Sequence, residues 1–334
     1  MSVISRLYNR FRQFGAFRIV IVYAHMGALG EFVKQGKYVL LKKKSINEAY
    51  SCIQGRVVPH LRKRYSPLVK ELTQKYSHEK LIQTKSNKVW ICWLQGMENA
   101  PEIVQICYAS MKRHMTDREI IVITKENINR YVEFPEHIQR KYKEGKIPCA
   151  QFSDLLRLEL LIRYGGTWID STVLCTGFRL QDSSTSEAAK PITSFKFLDA
   201  DLFFFQFLKK GEAGSQGISN WFITASTNQK VLLILRDMLY QYWRDYNCLV
   251  AYFIFHIFFS MIAKELPGEI EKMPKMSNRY CFYLEHRLGD TYQEEWMREL
   301  TSRCYFHKLN RRLWNEAEGK RNTFLERIRE EYRS

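Results

Sequence analysis

Residues 151–175, QFSDLLRLELLIRYGGTWIDSTVLC, leave this chain few alternatives: an apolar helix, a glycine pair and a buried strand follow one another with almost no linking residues. Leu155, Leu156, Leu158, Leu160, Leu161 and Ile162 build the helix, Ser153 is expected to cap its first turn, and Gly165-Gly166 stops it. Thr167, Trp168 and Ile169 then read as a β-prone run ending in Asp170, ahead of Ser171, Thr172 and the apolar Val173-Leu174. An apolar run does not hold a carboxylate without a partner, so Asp170 belongs at a strand end, solvated or bound to a cation. Asp154 and Arg157 are three apart and share a helix face. An acid, a guanidinium and a second acid are thus set to converge on one polar ligand.

The flanking sequence says what kind of sheet receives that strand. Val89–Leu94 reads as a strand containing Trp90 and Trp93, Ile103–Met115 as an amphipathic helix, and Glu119–Thr124 as a second strand. The second strand is nearly continuous in apolar residues, as in a parallel sheet covered on both faces. Strand, helix, strand at this spacing is a βαβ unit. Ligands of open α/β sheets lie beyond the carboxyl ends of the strands, which points to Trp93, Gln95, Gly96 and the loop after Thr124; Trp93 suits a core position as well. Asn127–Lys146 reads as one or two short helices, 181–190 as a polar surface loop, and Ile192–Phe197 and Leu202–Leu208 as strands on either side of a turn at Asp199-Ala200-Asp201. Asn228–Tyr246 is an amphipathic helix. Leu249–Ala263 reads as a buried helix holding His256, which is either a satisfied core residue or, facing a polar cavity, a base or metal ligand. The fold class is α/β, a mostly parallel sheet flanked by helices. Residues 1–85 are expected to be a basic helical extension, 86–310 the α/β domain and 311–334 a basic helical tail.

The formal net charge of +17 has its excess at both ends, at Arg6, Arg10, Arg12 and Arg18, at Lys42–Lys44, at Arg62–Arg64 and from Arg303 to Arg333. Phe11 and Phe14 beside Arg12 suit lipid headgroups better than bases, and no nucleic-acid-binding motif accompanies the charge, so attraction to an anionic membrane surface or an anionic substrate is the first reading, plain solubility the second, and nucleic acid is disfavoured. Residues 15–24 and 249–263 are both shorter than a membrane span. Eight cysteines without a Cys-x-x-Cys pair argue against a zinc or thioredoxin-type site and for a reducing compartment. The expected location is cytoplasmic, including peripheral attachment to the inner face of the membrane.

Asp154-x-x-Arg157, the leucine-rich helix, Gly165-Gly166, an aromatic and Asp170 together resemble the signature of the DXD-type sugar transferases, and GGTWIDSTVLCTG resembles the capsular polysaccharide synthesis proteins within that group. The resemblance runs from about Lys88 to His307. It implies a GT-A glycosyltransferase that holds a nucleotide-sugar at the carboxyl ends of the strands and commonly uses a divalent metal, manganese or magnesium, on the diphosphate. By it, Asp154 and Arg157 would contact donor hydroxyls, Trp93 would stack on the donor base, and Asn220 and Trp221 would form a donor or acceptor wall. Asp170 with Thr172 would face the metal, and His307 and Lys308, in the His-Lys-Leu that closes the family's pattern, would meet the diphosphate. Thr172 stands where a DXD has its second Asp, and one carboxylate with one hydroxyl is a weak ligand set for a divalent ion. The function implied is sugar transfer to a growing capsular or lipopolysaccharide glycan or a lipid-linked acceptor in a bacterium. The competing readings are a sugar-transferase-like scaffold without turnover, and a nucleic-acid-binding protein.

Overall fold

The computed structural model describes residues 17–41, 43–177, 196–207 and 217–333. Its helices are α1 (Phe17–His25), α2 (Leu29–Leu40), α3 (Ile46–His78), α4 (Glu102–His114), α5 (Ile128–Tyr131), α6 (Glu136–Lys143), α7 (Cys149–Tyr164), α8 (Lys230–Asp245), α9 (Ile254–Glu265), α10 (Pro267–Glu271), α11 (Glu294–Arg303), α12 (Arg311–Ala317) and α13 (Phe324–Tyr332). Its strands are β1 (Lys88–Cys92), β2 (Glu119–Ile123), β3 (Gly166–Ile169), β4 (Val173–Cys175), β5 (Leu202–Gln206), β6 (Ile218–Ala225) and β7 (Phe306–Lys308). The loop read at 181–190, the start of the strand read at Ile192–Phe197, and Arg6, Arg10, Arg12, Phe11 and Phe14 lie outside the described residues.

Five strands form the central sheet in the order β2-β1-β3-β6-β5. β1 pairs in parallel with β2 and with β3, and β6 is antiparallel to both β3 and β5, so β6 alone of the five runs in reverse. The α/β class with a mostly parallel sheet is therefore the architecture, and β1-α4-β2 is the βαβ unit. Reversal of β6 matters for the site. It brings the start of that strand, Ile218 to Trp221, to the edge where β1 and β3 end.

Gly166 explains why a helix can turn directly into a central strand. Its φ is +93°, and a Cβ there would run into the Lys88 carbonyl, so only glycine lets β3 lie against β1. Trp90 Nε1 donates to the Gly165 carbonyl at 2.8 Å and locks the turn.

Helix α3 opens with a capping box, Ser45 with Glu48, and buries Ala49, Ile53, Val57, Leu61, Tyr65, Val69, Leu72 and Tyr76, a stripe repeating at nearly every fourth residue. Its two prolines, Pro59 and Pro67, lie on the exposed side. The stripe shares one apolar core with α7, α8 and α9, and Tyr65 and Tyr76 donate to Asp245 and Asp237 of α8 at 2.8 and 2.6 Å. At the other end of the chain α13 buries Phe324, Leu325 and Ile328 in a cluster with Ile103 and Ile106 of α4.

Local differences from the sequence reading have identifiable causes. Helix α7 starts at Cys149 behind Pro148, so Ser153 is inside the helix and its hydroxyl accepts from Arg157 instead of capping. The buried helix read from Leu249 begins only at Ile254, because the backbone from 249 to 253 is tied to Tyr242 and Tyr50 by hydrogen bonds outside helical register. Lys196–Asp199 is a 3-10 turn rather than strand.

Candidate active site

The carboxyl ends of β1 and β3, the start of β6 and the first turns of α7 surround a cleft of about 980 Å³. Cys92, Asp154, Arg157, Asp170, Asn220 and Lys308 all line it. Arg157, 5% exposed, is the hub. Its Nη1 lies 3.1 Å from Asp154 Oδ1 and donates to the Asn220 carbonyl at 2.6 Å; its Nη2 donates to Ser153 Oγ at 3.1 Å and lies 3.4 Å from Asp170 Oδ1. The guanidinium also covers the Trp168 ring at 5.0 Å. Asn220 Nδ2 donates to Asp154 at 2.8 Å, which closes the network on the β6 side.

Asp170 is held from two directions. Trp168, two residues earlier and so on the same side of the strand, donates Nε1 to Oδ1 at 2.9 Å. Lys308 of β7 donates Nζ to Oδ2 at 3.0 Å and to Thr172 Oγ1 at 2.8 Å. β7 reaches this point because it pairs antiparallel with β4, Val173 opposite Lys308 and Leu174 opposite His307. Alternation along the strand sends the two neighbours to opposite sides. Lys308 enters the cleft, whereas His307 is fully buried, 3.1 Å from Thr176, and lines no part of it.

The two carboxylates are tuned apart. Burial works against the charge of Asp170, but Lys308 and Arg157, with the hydrogen bonds from Trp168 and Lys308, outweigh it and hold the carboxyl below its ordinary range. At Asp154 burial wins over the Arg157 charge, Asp170 pushes in the same direction, and the carboxyl rises to about 6. His256 lines the cleft; burial, with Arg157 beside it, lowers its imidazole to about 4, so it is neutral at pH 7. Burial lowers His307 to about 3, which keeps it from acting as a cation.

Several polar atoms of residues lining this cleft are buried and have no hydrogen-bond partner among the described residues: Arg157 Nε, Trp221 Nε1, His256 Nδ1 and Gln151 Oε1. Buried polar groups are normally satisfied, so a run of orphans around one cavity marks a place where a polar ligand or water completes the bonding. Trp221 stacks on Phe205 at 5.0 Å.

Asp154, Arg157, Asp170, Thr172, Asn220, Trp221, His256 and Lys308 are thus brought together. Trp93, Gln95, Gly96 and His307 are not. The Trp93 ring joins the apolar cluster of Ile106, Leu284 and Trp314, and Gln95 is exposed in the turn that follows. Sequence reasoning passed over Cys92, Ser153, Gln151, Tyr252 and Phe253. Only Cys92, as the last residue of a parallel strand, carried a signal that would have found it.

A divalent ion on Asp170 and Thr172 does not fit these side chains. Both oxygens are already bonded to an ammonium, and the guanidinium stands behind, so a magnesium- or manganese-sized ion would have to displace Lys308 and draw its other ligands from water and phosphate. Among the described residues no group of three or more His, Cys, Asp or Glu is arranged to hold a metal.

Comparison with known proteins extends the picture. The family model for capsular polysaccharide synthesis proteins matches residues 37–328. A segment of 99 residues is 32% identical to the O-glycosyltransferase braB of Annulohypoxylon truncatum, covering 26% of this chain and 23% of that protein, so the chain spans about a quarter of that relative's length. Among solved structures the PaToxG glycosyltransferase aligns at a TM-score of 0.35 and 14% identity over 62% of this chain and 79% of that one. The family match runs from α2 into α13 and takes in every residue of the cleft network. The chain belongs to the capsular polysaccharide synthesis protein family.

Proposed function

We propose that this protein is a glycosyltransferase that takes a sugar from a nucleotide-sugar and passes it to a growing surface glycan or its lipid-linked precursor, in the cytoplasm or at the inner face of a bacterial membrane. The observation that carries the reading is the interlocked pair of carboxylates and cations at the carboxyl edge of the sheet, with buried polar atoms around it that lack partners among the described residues. Family membership and the name of the partial relative support sugar transfer in general; the donor class, the GT-A comparison and the membrane location are the finer part of the proposal.

Glycosyl transfer develops positive charge at the anomeric carbon and negative charge on the departing diphosphate. Among the described residues Lys308 and the Arg157 fork are the cations of the cleft, and they stabilise the diphosphate as it leaves. Asp170, charged at all working pH, orients Lys308 and faces the developing oxocarbenium. Asp154 and Asn220 accept from and donate to sugar hydroxyls. His256 is neutral at pH 7 with Nδ1 unpartnered among the described residues and can accept a hydrogen bond from the acceptor's hydroxyl, while Asp154, raised to about 6, is the carboxylate whose basicity lies nearer the working pH.

A second reading, a sugar-binding scaffold without turnover, is favoured by one feature: an ammonium fills the position where the family resemblance implies a metal. Thermal shift with a panel of UDP- and GDP-sugars, each with and without a chelator, tests the proposal, because a ligand of the folded state raises its melting point. A shift with one donor that survives chelation is expected. No shift with any donor would overturn nucleotide-sugar binding.

A further inference from the structure

We propose that the outer face of the α1–α2 hairpin is a docking surface for a bilayer containing anionic phospholipid. Helix α2 buries Gln35 and Val39 and turns Val33, Lys34, Lys37 and Leu40 outward, with Leu41 following at its end. These five lie within about a third of the helix circumference at 3.6 residues per turn. Val33 is 62% exposed, Leu40 60% and Leu41 54%, and the preceding helix α1 exposes Ile21 at 61% together with Arg18. On α2 itself the stripe carries no acid, since Glu31 lies off it, where Gln35 donates to it; beside Arg18 of α1 the Glu144 carboxylate is near enough to feel that charge.

Isolated exposed apolar residues are ordinary, but here they are interleaved with lysines on one helical stripe. That mixture is the chemistry of a helix lying in a headgroup layer, apolar tips entering the acyl boundary and ammonium groups meeting phosphates. Charge complementarity selects the occupant. The stripe is basic, it sits in a chain of net charge +17, and no described helix is long and apolar enough to cross a membrane, so attachment would be at a surface.

The hairpin is also tied to the cleft. Tyr23 of α1 donates to the Val250 carbonyl at 3.3 Å, Gln54 of α3 donates to the same carbonyl at 3.3 Å, and the Tyr252 amide donates to Tyr50 of α3 at 2.7 Å. Tyr252 and Phe253, which follow in that loop, are 40% and 46% exposed and line the cleft. Docking the hairpin would therefore bring the rim of the cleft near the lipid surface, where a lipid-linked acceptor is held. Vesicle binding itself does not rest on the transferase reading, and it is read without any sugar donor.

The test is flotation of the full chain with vesicles of one part phosphatidylglycerol to two parts phosphatidylcholine, against pure phosphatidylcholine, at low and high salt. Binding to the anionic vesicles only, weakened by salt, is expected. With each basic residue near such a surface contributing roughly a fivefold factor, Lys34→Glu with Lys37→Glu should reduce binding by more than about tenfold and Lys34→Arg with Lys37→Arg should restore it. Val33→Asp with Leu40→Asp, both on solvent-exposed positions, should lose a comparable amount while melting like the parent. Equal binding to neutral vesicles, vesicle binding untouched by both pairs of substitutions, or retention of duplex DNA with no vesicle binding would each overturn the proposal.

Discussion

Asp170 keeps its charge because Lys308 and Arg157, with the Trp168 hydrogen bond, outweigh its burial, and it is in turn a carboxylate that both cations share. Lys308→Met breaks this arrangement from the side proposed to meet the leaving diphosphate. Initial rates should fall by about 100-fold or more, as for removal of one preorganised charge stabiliser, with a melting loss of no more than about 1–3 kcal/mol. A rate within threefold of the parent would remove Lys308 from the chemistry. Asp154 makes a different claim. Its carboxyl titrates near 6 in the fold against an ordinary 3.8, so between those values the native state holds a proton that the unfolded chain has released. Stability then falls as pH rises through that window, on the order of 1–3 kcal/mol in total. Asp154→Asn has no such loss. Its melting point relative to the parent should climb between about pH 4 and 6 and stay level above, as followed by circular dichroism.

Three of these residues were legible because their relation is local. Asp154 and Arg157 are one helical turn apart, and a carboxylate at the end of an apolar strand announces a cation without naming it. The cation itself was less legible. Lys308 is 138 residues from Asp170 in the chain, and whether it or His307 faces the cleft depends on the parity of a three-residue strand, which a single sequence does not reveal. Trp93 went the other way for a similar reason: the strand ends at Cys92, so the tryptophan has already turned into the cluster around Ile106.

At the scale of elements, the step from α7 into β3 carries the site, since it sets Arg157 and Asp170 on consecutive pieces of backbone. The apolar helix, the glycine stop and the strand were all readable from residue types. The start of α7 was not, because Pro148 rather than Ser153 marks it and a proline five residues upstream competes with a good capping residue. Gly166→Ala tests the turn directly. A methyl at φ +93° against the Lys88 carbonyl must push β3 off β1, and a loss of more than about 3 kcal/mol is expected from denaturant melts. Gly55→Ala, on an open face of α3, is the control and should gain about 0.5–1 kcal/mol.

For the whole molecule, the α/β class followed from the alternation of strand and helix patterns after Lys88, whereas the placement of the first helices did not. Residues before 86 carried no motif, yet Val57, Leu61 and Tyr65 of α3 are fully buried in the same core as Leu155 and Leu235. The four-residue spacing of that stripe was present in the sequence, diluted by the charges on its other faces. A chain beginning at residue 86 would expose this core and should be recovered as insoluble or molten protein, with no cooperative melt; a cooperative melt close to the parent's would show that α3 is dispensable.

The central claim is chemical, that the Asp170 cleft transfers a sugar with its own cations in the role a metal would otherwise fill. Release of nucleoside diphosphate from UDP- and GDP-sugars, followed in the presence of a chelator for the parent and for Asp170→Asn, tests it most directly. The expected result is release from one donor by the parent, unaffected by chelation, and a loss of at least about 100-fold in the variant. Undiminished release by the variant, or release by the parent that stops on chelation and returns with manganese, would contradict it.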